Sequence, residues 1–530
     1  MKNSMKYKFT GIHLALFAAA GIFHPAVAYE GPAAGSCQLA TLASITTGAA
    51  LGEDGQVWMW GFRNAGISGL PTRTHAYSNQ NPPNQVEFPG GTKIVQLTSG
   101  AYHFLALSDD GKVYGWGQSG YGEVGCRNAV NDPYVRPPCG VPFPGLKAGD
   151  KVIQVAAGEY FSLALTEQGD LYTWGHDLYG QSGRGEKVTT RADGPVLNKA
   201  HPSYSDGKSV PVNNASMQFV PYKVDLGGER AVVAGAWYEG AMAITETAAG
   251  QRHVWGWGDN EAAGLGVPYT CGGTPIRGVQ CVVRAPTRAN SALENLAPEI
   301  STLYGGNAFG TAMLNATPGA RGSKLVGWGQ LAAIGLGVGA DGKPGDTVRV
   351  TTVPLPMALK DPVTGTEHLA KRFFSRYVGN VAIGTDERLW VWGQGGGSAF
   401  PQIYPNRPTP HGTAFTTPSD TGVNAALRAD RAGATLVEIG STKEVVYYKM
   451  SDGSAFGLGY ASVDSLNPQG IPGAGKLDLD YWGASGWGGQ GTMHGTGSLE
   501  NVRFGGVRLF SLGENNAGFC RSGGGVVVEQ

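Results

Sequence analysis

The sequence predicts an all-β protein, a single closed β-propeller of seven or eight four-stranded blades. Three observations carry that expectation: a strand, Trp-Gly and turn pattern recurs along nearly the whole chain, glycine is abundant, and charge is scarce. Of 530 residues, 85 are glycine and only 15% are charged, against a usual glycine share of about 7%. That balance suits short strands joined by tight turns and disfavours helix bundles and coiled coils.

The pattern is clearest at Lys112–Gly125, KVYGWGQSGYGEVG, and at Leu171–Gly185, LYTWGHDLYGQSGRG. Alignment on the Trp-Gly step finds Trp60 in VWMWG, Trp116 in VYGWG, Trp174 in LYTWG, Trp257 in VWGWG, Trp328 in LVGWG and Trp392 in LWVWG. Two weaker marks place Leu458-Gly459 and Leu512-Gly513 at the same step. Consecutive marks are 54 to 83 residues apart, a period suited to a unit of about four short strands. Such a sheet cannot bury both faces alone. Radial stacking covers them, and closing the ring removes long exposed edges. A linear β-solenoid, the rival architecture, has a much shorter period.

Each unit shares one grammar. An apolar strand and an aromatic strand flank a turn at Asp54-Gly55, Asp110-Gly111, Gln168-Gly169 or Asp452-Gly453, the signature of a type I′ hairpin. The strand before them ends in glycine at Gly100, Gly158, Gly235 and Gly440, where backbones are expected to crowd. The six mark tryptophans are expected to be packing between blades, since each occupies the same point of a strand and buries a large ring.

Lys plus Arg number 40 and Asp plus Glu 41, with no run of five like charges, so no nucleic-acid partner is expected. Residues 1–28 read as a signal peptide: Lys2, Lys6 and Lys8, the apolar Gly11–Phe23, then Ala26-Val27-Ala28. The mature chain is then expected to start at Tyr29 and to be secreted, periplasmic or on the cell surface, with no membrane span, and to be a monomer. Six cysteines, Cys37, Cys126, Cys139, Cys271, Cys281 and Cys520, suit disulfides in an oxidising compartment. Proximity suggests Cys126 with Cys139 and Cys271 with Cys281, which leaves Cys37 and Cys520 to meet where a ring closes. No CxxC occurs, so no metal site is expected, and no cofactor is required.

Three inserts interrupt the repeat: 188–216, 395–420, which is Pro-rich and expected to be irregular, and 480–498. The last places Tyr481, Trp482, Trp487 and His494 among glycines. These four are the candidate partner-binding residues, since aromatic side chains on a loop anchor proteins or stack on sugars. The alternative is that the tryptophans fold back over the blades that lack a mark tryptophan.

The segment GAYHFLALSDDGKVYGWGQSGYGEVG, echoed by GEYFSLALTEQGDLYTWGHDLYGQSGRG, closely resembles the repeat of the regulator of chromosome condensation family. The resemblance covers about residues 37–525 and implies a propeller, usually of seven blades. The last two marks lack tryptophan, and eight marks stand where the family has seven repeats. The family's light-sensing Gly-Trp-Arg-His-Thr block is missing, its places reading GAYHF, GEYFS and GAWYE. None of its nucleotide-exchange residues transfers onto positions here.

No phosphate loop, HExxH or GxSxG motif occurs, and His176-Asp177 reads as a pair of turn residues, so no enzyme is expected beyond an unrecognised hydrolase pocket. The reading is therefore an extracytoplasmic propeller that binds a protein partner, one form being the enzyme-inhibitor role that the family resemblance includes among secreted bacterial members. A carbohydrate-binding or adhesion module, and a secreted exchange-factor-like effector acting on a host GTPase, are the alternatives.

Overall fold

The computed structural model describes residues 37–39, 47–52, 54–61, 69, 84–126, 134–185, 217–273, 275, 281–316, 320–336, 350–361, 363–376, 379–395, 413–420, 433–441, 445–451, 455–459 and 510–511. These form an all-β propeller of mostly four-stranded antiparallel sheets, each in plain chain order. The first sheet is β1 (Cys37–Leu39), β2 (Thr47–Gly52), β3 (Val57–Gly61) and β4 (Asn84–Val86). The second is β5 (Ile94–Ser99), β6 (His103–Ser108), β7 (Val113–Gln118) and β8 (Tyr134–Gly140). The third is β9 (Val152–Ala157), β10 (Phe161–Thr166), β11 (Leu171–His176) and β12 (Met217–Lys223). The fourth is β13 (Arg230–Trp237), β14 (Gly240–Glu246), β15 (Arg252–Asp259) and β16 (Val282–Arg288). The fifth is β17 (Ile300–Gly306), β18 (Phe309–Leu314), β19 (Leu325–Gln330) and β20 (Val350–Pro356). A hairpin, β21 (Leu359–Lys360) and β22 (Glu367–His368), leads to the sixth, β23 (Ala370–Arg376), β24 (Gly379–Gly384), β25 (Leu389–Gly395) and β26 (Thr413–Asp420). A last sheet, β27 (Leu436–Ser441), β28 (Val445–Met450) and β29 (Ala455–Gly459), ends in the two-residue β30 (Phe510–Ser511).

First strands touch in succession, β5 with β9, β9 with β13, β13 with β17 and β17 with β23, while β1 lies against β27 and β28. They therefore form the inner lining. Gly100 and Gly158 permit this crowding, since a Cβ on Gly100 would lie 2.5 Å from the Gly158 carbonyl oxygen. The core sits between sheets: Leu105, Leu107 and Val113 of the second pack with Val152, Ala164, Tyr172 and Trp174 of the third. Burying these apolar faces supplies the main driving force, at about 25 cal/mol per Å².

The structure revises several expectations. The described hairpin turns are not type I′. Gly111 N–H donates to the Ser108 carbonyl and Ser108 N–H to the Lys112 carbonyl, and only Gly111 has positive φ, +83°. This is a type I turn followed by a left-handed glycine, repeated at Gly169 with φ +86°. The insert 395–420 is partly regular, because Thr413–Asp420 pairs with β25 as an outer strand, where the edge tolerates Pro418. Just before the eighth mark, Phe510 and Ser511 pair with Gly457 and Phe456 of the seventh mark's strand.

Two disulfides are present among the described residues, Cys126–Cys139 and Cys271–Cys281. The first ties the turn after β7 to β8, enclosing a separation of 13 residues. The double variant Cys126→Ser/Cys139→Ser is expected to lose about 2–3 kcal/mol. Urea unfolding measures this, and an unchanged midpoint would contradict it. The Cys37–Cys520 pairing, the segment 1–28, the inserts 188–216 and 480–498, and Tyr481, Trp482, Trp487 and His494 lie outside the described residues or side chains.

Candidate functional site

The marks build one face of the propeller from a repeated backbone device. At each of five marks the pairing between third and fourth strands shifts register across the tryptophan. The following glycine has positive φ, from +91° at Gly329 to +127° at Gly393, the conformation a bulge asks of glycine. A Cβ on Gly117 would lie 2.4 Å from the Tyr102 carbonyl oxygen. The next N–H then donates to the turn between first and second strands: Gln118 to Tyr102, His176 to Tyr160, Asp259 to Glu239 and Gln330 to Ala308, at 2.8 to 3.0 Å. A constant scaffold thus places two glutamines, a histidine and an aspartate at one position.

The mark tryptophans join neighbouring sheets. Trp174 Nε1–H donates to the Glu123 carbonyl, Trp257 to Gln181 and Trp328 to Gly264, at 2.9 to 3.0 Å. Each accepting carbonyl belongs to the turn after the preceding sheet's mark. Trp116, Trp174, Trp257, Trp328 and Trp392 are all buried; the Trp60 side chain lies outside the described ones. Trp392 departs from the rule. Its Nε1 has no partner among the described residues, and Asn380, paired with it across strands, donates from Nδ2 to the Ala333 carbonyl instead (2.7 Å).

Asp177 is a turn residue, as expected. Its Oδ1 accepts from Ser182 N–H at 2.8 Å, as Asn260 Oδ1 does from Leu265 N–H at 3.0 Å. Burial raises the Asp177 carboxyl above its ordinary value. His176 has a second setting that the sequence did not disclose. Its ring lies 4.6 Å from Tyr121 and faces the edges or faces of Tyr179 and Tyr160 at 5.8 and 6.4 Å. Nδ1 is 3.4 Å from Glu239 Oε2 and 3.1 Å from Gln181 Nε2, and Gln181 Nε2 also donates to Glu239 Oε2.

Glu239 stands at a shallow pocket between the fourth and fifth sheets, lined also by Trp237, Tyr238, Asp259, Glu261 and Phe309. Burial chiefly, with Glu261 and Glu239 nearby, pushes the Asp259 carboxyl up to about 7 against the opposing N–H of Cys281. Among the described residues no group of three or more His, Cys, Asp or Glu is placed to hold a metal.

A serine–histidine contact also exists, His103 Nε2 to Ser162 Oγ at 2.9 Å, but both side chains are fully buried. Ser162 Oγ–H donates to the Glu123 carbonyl (2.7 Å), so it accepts from His103 rather than giving it a proton. Burial holds His103 down at about 3. The contact is structural.

A sequence model of the regulator of chromosome condensation (RCC1) repeat matches residues 54–107 and 110–165, and a second model of that repeat matches 94–123 and 152–181. The fold agrees with solved propellers: human WBSCR16 gives a TM-score of 0.53 at 18% identity, covering 78% of this chain and 91% of that one. Prp20p of Saccharomyces cerevisiae gives 0.50 at 18%, covering 77% and 81%. Residues 54–181 carry repeats of the regulator of chromosome condensation family. Each 110–165-type RCC1 repeat starts at the third strand of one sheet and ends in the second strand of the next. The human E3 ubiquitin-protein ligase HERC2 is 31% identical over 196 residues, 36% of this chain but 3% of the ligase. The ultraviolet-B receptor UVR8 of Arabidopsis thaliana is 38% identical over 106 residues, 20% of this chain and 23% of the receptor. This RCC1-repeat chain therefore spans less than a quarter of either relative.

Proposed function

We propose that the chain is an extracytoplasmic binding platform, a seven-bladed ring closed by contact of β1 with the last sheet, whose mark-turn face docks a protein partner. The observation that carries this reading is the scaffold itself: one backbone device fixes Gln118, His176, Asp259 and Gln330 at equivalent places, with an imidazole and a carboxylate among two amides. Rigid scaffolds with variable turns are where binding is placed. Protein binding has precedent in the family, since Prp20p was characterised with its binding to Gsp1p and histones. The signal-like start and two disulfides support a site outside the cytoplasm. An enzyme-inhibitor role is a specific form of this platform.

Leu178 is 41% exposed on the turn after the third mark, and Val363 is 92% exposed beside Asp361, which binds Arg388 of the hairpin at the opposite ends of the strands. Affinity capture with the whole chain as bait is expected to yield a partner that Leu178→Asp weakens about tenfold or more and Val363→Asp leaves bound. Loss with Val363→Asp alone would move the platform to the other face. Binding of glycans without protein would reject it.

A further inference from the structure

We infer that the pocket between the fourth and fifth sheets receives an arginine side chain presented by the docked protein. This deepens the platform reading and rests on it. Glu239 is 7% exposed and lines the pocket. Its Oε2 is engaged by Gln181 and His176, whereas Oε1 takes no hydrogen bond or ion pair among the described residues. Asp259 shows the same division: Oδ1 accepts from Glu261 N–H and Cys281 N–H, both at 3.1 Å, and Oδ2 takes no partner among them. Two carboxylates at one concavity thus each keep an acceptor oxygen unused, and no described ion pair to lysine or arginine reaches either.

Three described arginines make contacts outside this pocket. Arg284 donates to the Leu178 carbonyl (3.2 Å), Arg184 stacks 4.8 Å from the Tyr222 ring, and Arg288 pairs with Glu294. Burial chiefly, and the nearby Glu261 and Glu239 in addition, raise the Asp259 carboxyl. The remaining walls mix small and polar residues, Gly240, Gly306 and Asn307 among them, with Trp237, Tyr238 and Phe309. A flat guanidinium meets the demand of the two carboxylates, since it donates in a fork to carboxylate oxygens, whereas an ammonium is a compact, strongly hydrated charge. A metal ion would need a closer set of ligands than the described residues provide.

The test uses the purified whole chain and a fluorescein-labelled peptide of alternating glycine and arginine, followed by anisotropy. The control peptide carries citrulline, which keeps the shape and loses the charge. Binding is expected to fall about tenfold or more with citrulline, and similarly in Glu239→Gln/Asp259→Asn. Asp225→Asn, a carboxylate on an exposed turn after the third sheet, should leave binding within about twofold. Because Glu239 also holds His176 and Gln181, Glu261→Gln on the pocket rim serves as a second variant and should weaken binding about threefold. Equal binding of the citrulline peptide, or unchanged binding in both pocket variants, overturns the inference. If the arginine peptide fails while partner capture stays sensitive to Leu178→Asp, the platform stands and this pocket is not its anchor.

Discussion

Replacing Trp174 by alanine is expected to destabilise the protein by ~3–5 kcal/mol, the range for removing a buried indole. The ring is 1% exposed and packs edge-on to Phe143 at 5.7 Å, within a cluster shared by the second and third sheets. The carbonyl of Glu123 would keep the Ser162 hydroxyl as donor, so the cavity and not an orphaned acceptor dominates the cost. Trp174→Phe should lose much less, about 1 kcal/mol from the absent indole N–H plus a smaller void. Urea unfolding of both variants separates the terms. A loss below about 1 kcal/mol for alanine would mean that the seam collapses and refills.

Glu123→Gln should stabilise the protein at alkaline pH. Glu123 is 1% exposed, and burial pushes its carboxyl up to about 8. Its Oε2 accepts from Tyr121 N–H at 2.7 Å, and Oε1 has no partner among the described residues. A carboxyl whose folded value lies above its unfolded one holds its proton in the fold while the unfolded chain has released it. Stability therefore falls as pH rises from about 4.5 to about 8, by about 1.4 kcal/mol per unit at most. His103 acts oppositely: held at about 3, it withdraws stability as pH drops below about 6.5. The difference between wild type and variant isolates Glu123. Unfolding midpoints should nearly coincide near pH 4.5 and separate near pH 8, with the variant more stable; parallel profiles would contradict this. The third sheet already makes the exchange, since Gln181 Oε1 accepts from Tyr179 N–H at 2.9 Å at the equivalent place.

The fold could be read because its two determinants are local in sequence. A Trp-Gly step needs only its own strand to form the bulge and bury the ring, and an Asp-Gly pair fixes a turn, although not the turn's type. Blade boundaries were harder, since Phe510 and Ser511 look like the start of a new mark until pairing assigns them to an existing sheet. The site was largely hidden. His176 and Asp177 were visible as turn residues, but Glu239 comes from 63 positions away, on a turn that follows the next sheet's first strand. Only inter-sheet bonds such as Glu159 N–H to the Tyr238 carbonyl (2.7 Å) bring those turns to one level, and spacing along the chain does not encode that level.

At the third, fourth and fifth sheets the seams bond in one direction: the later sheet's indole reaches back to the turn of the one before it. Gln181 joins both sides of such a seam, because its carbonyl receives Trp257 while its side chain holds His176 and Glu239. The transplantable unit of this protein is consequently not a sheet. It is the stretch from one mark turn through the next indole, as from Glu123 to Trp174. A graft cut at sheet borders would sever an indole from its acceptor, whereas one cut just after each Trp-Gly step would carry both together, as Glu123 and Trp174 show.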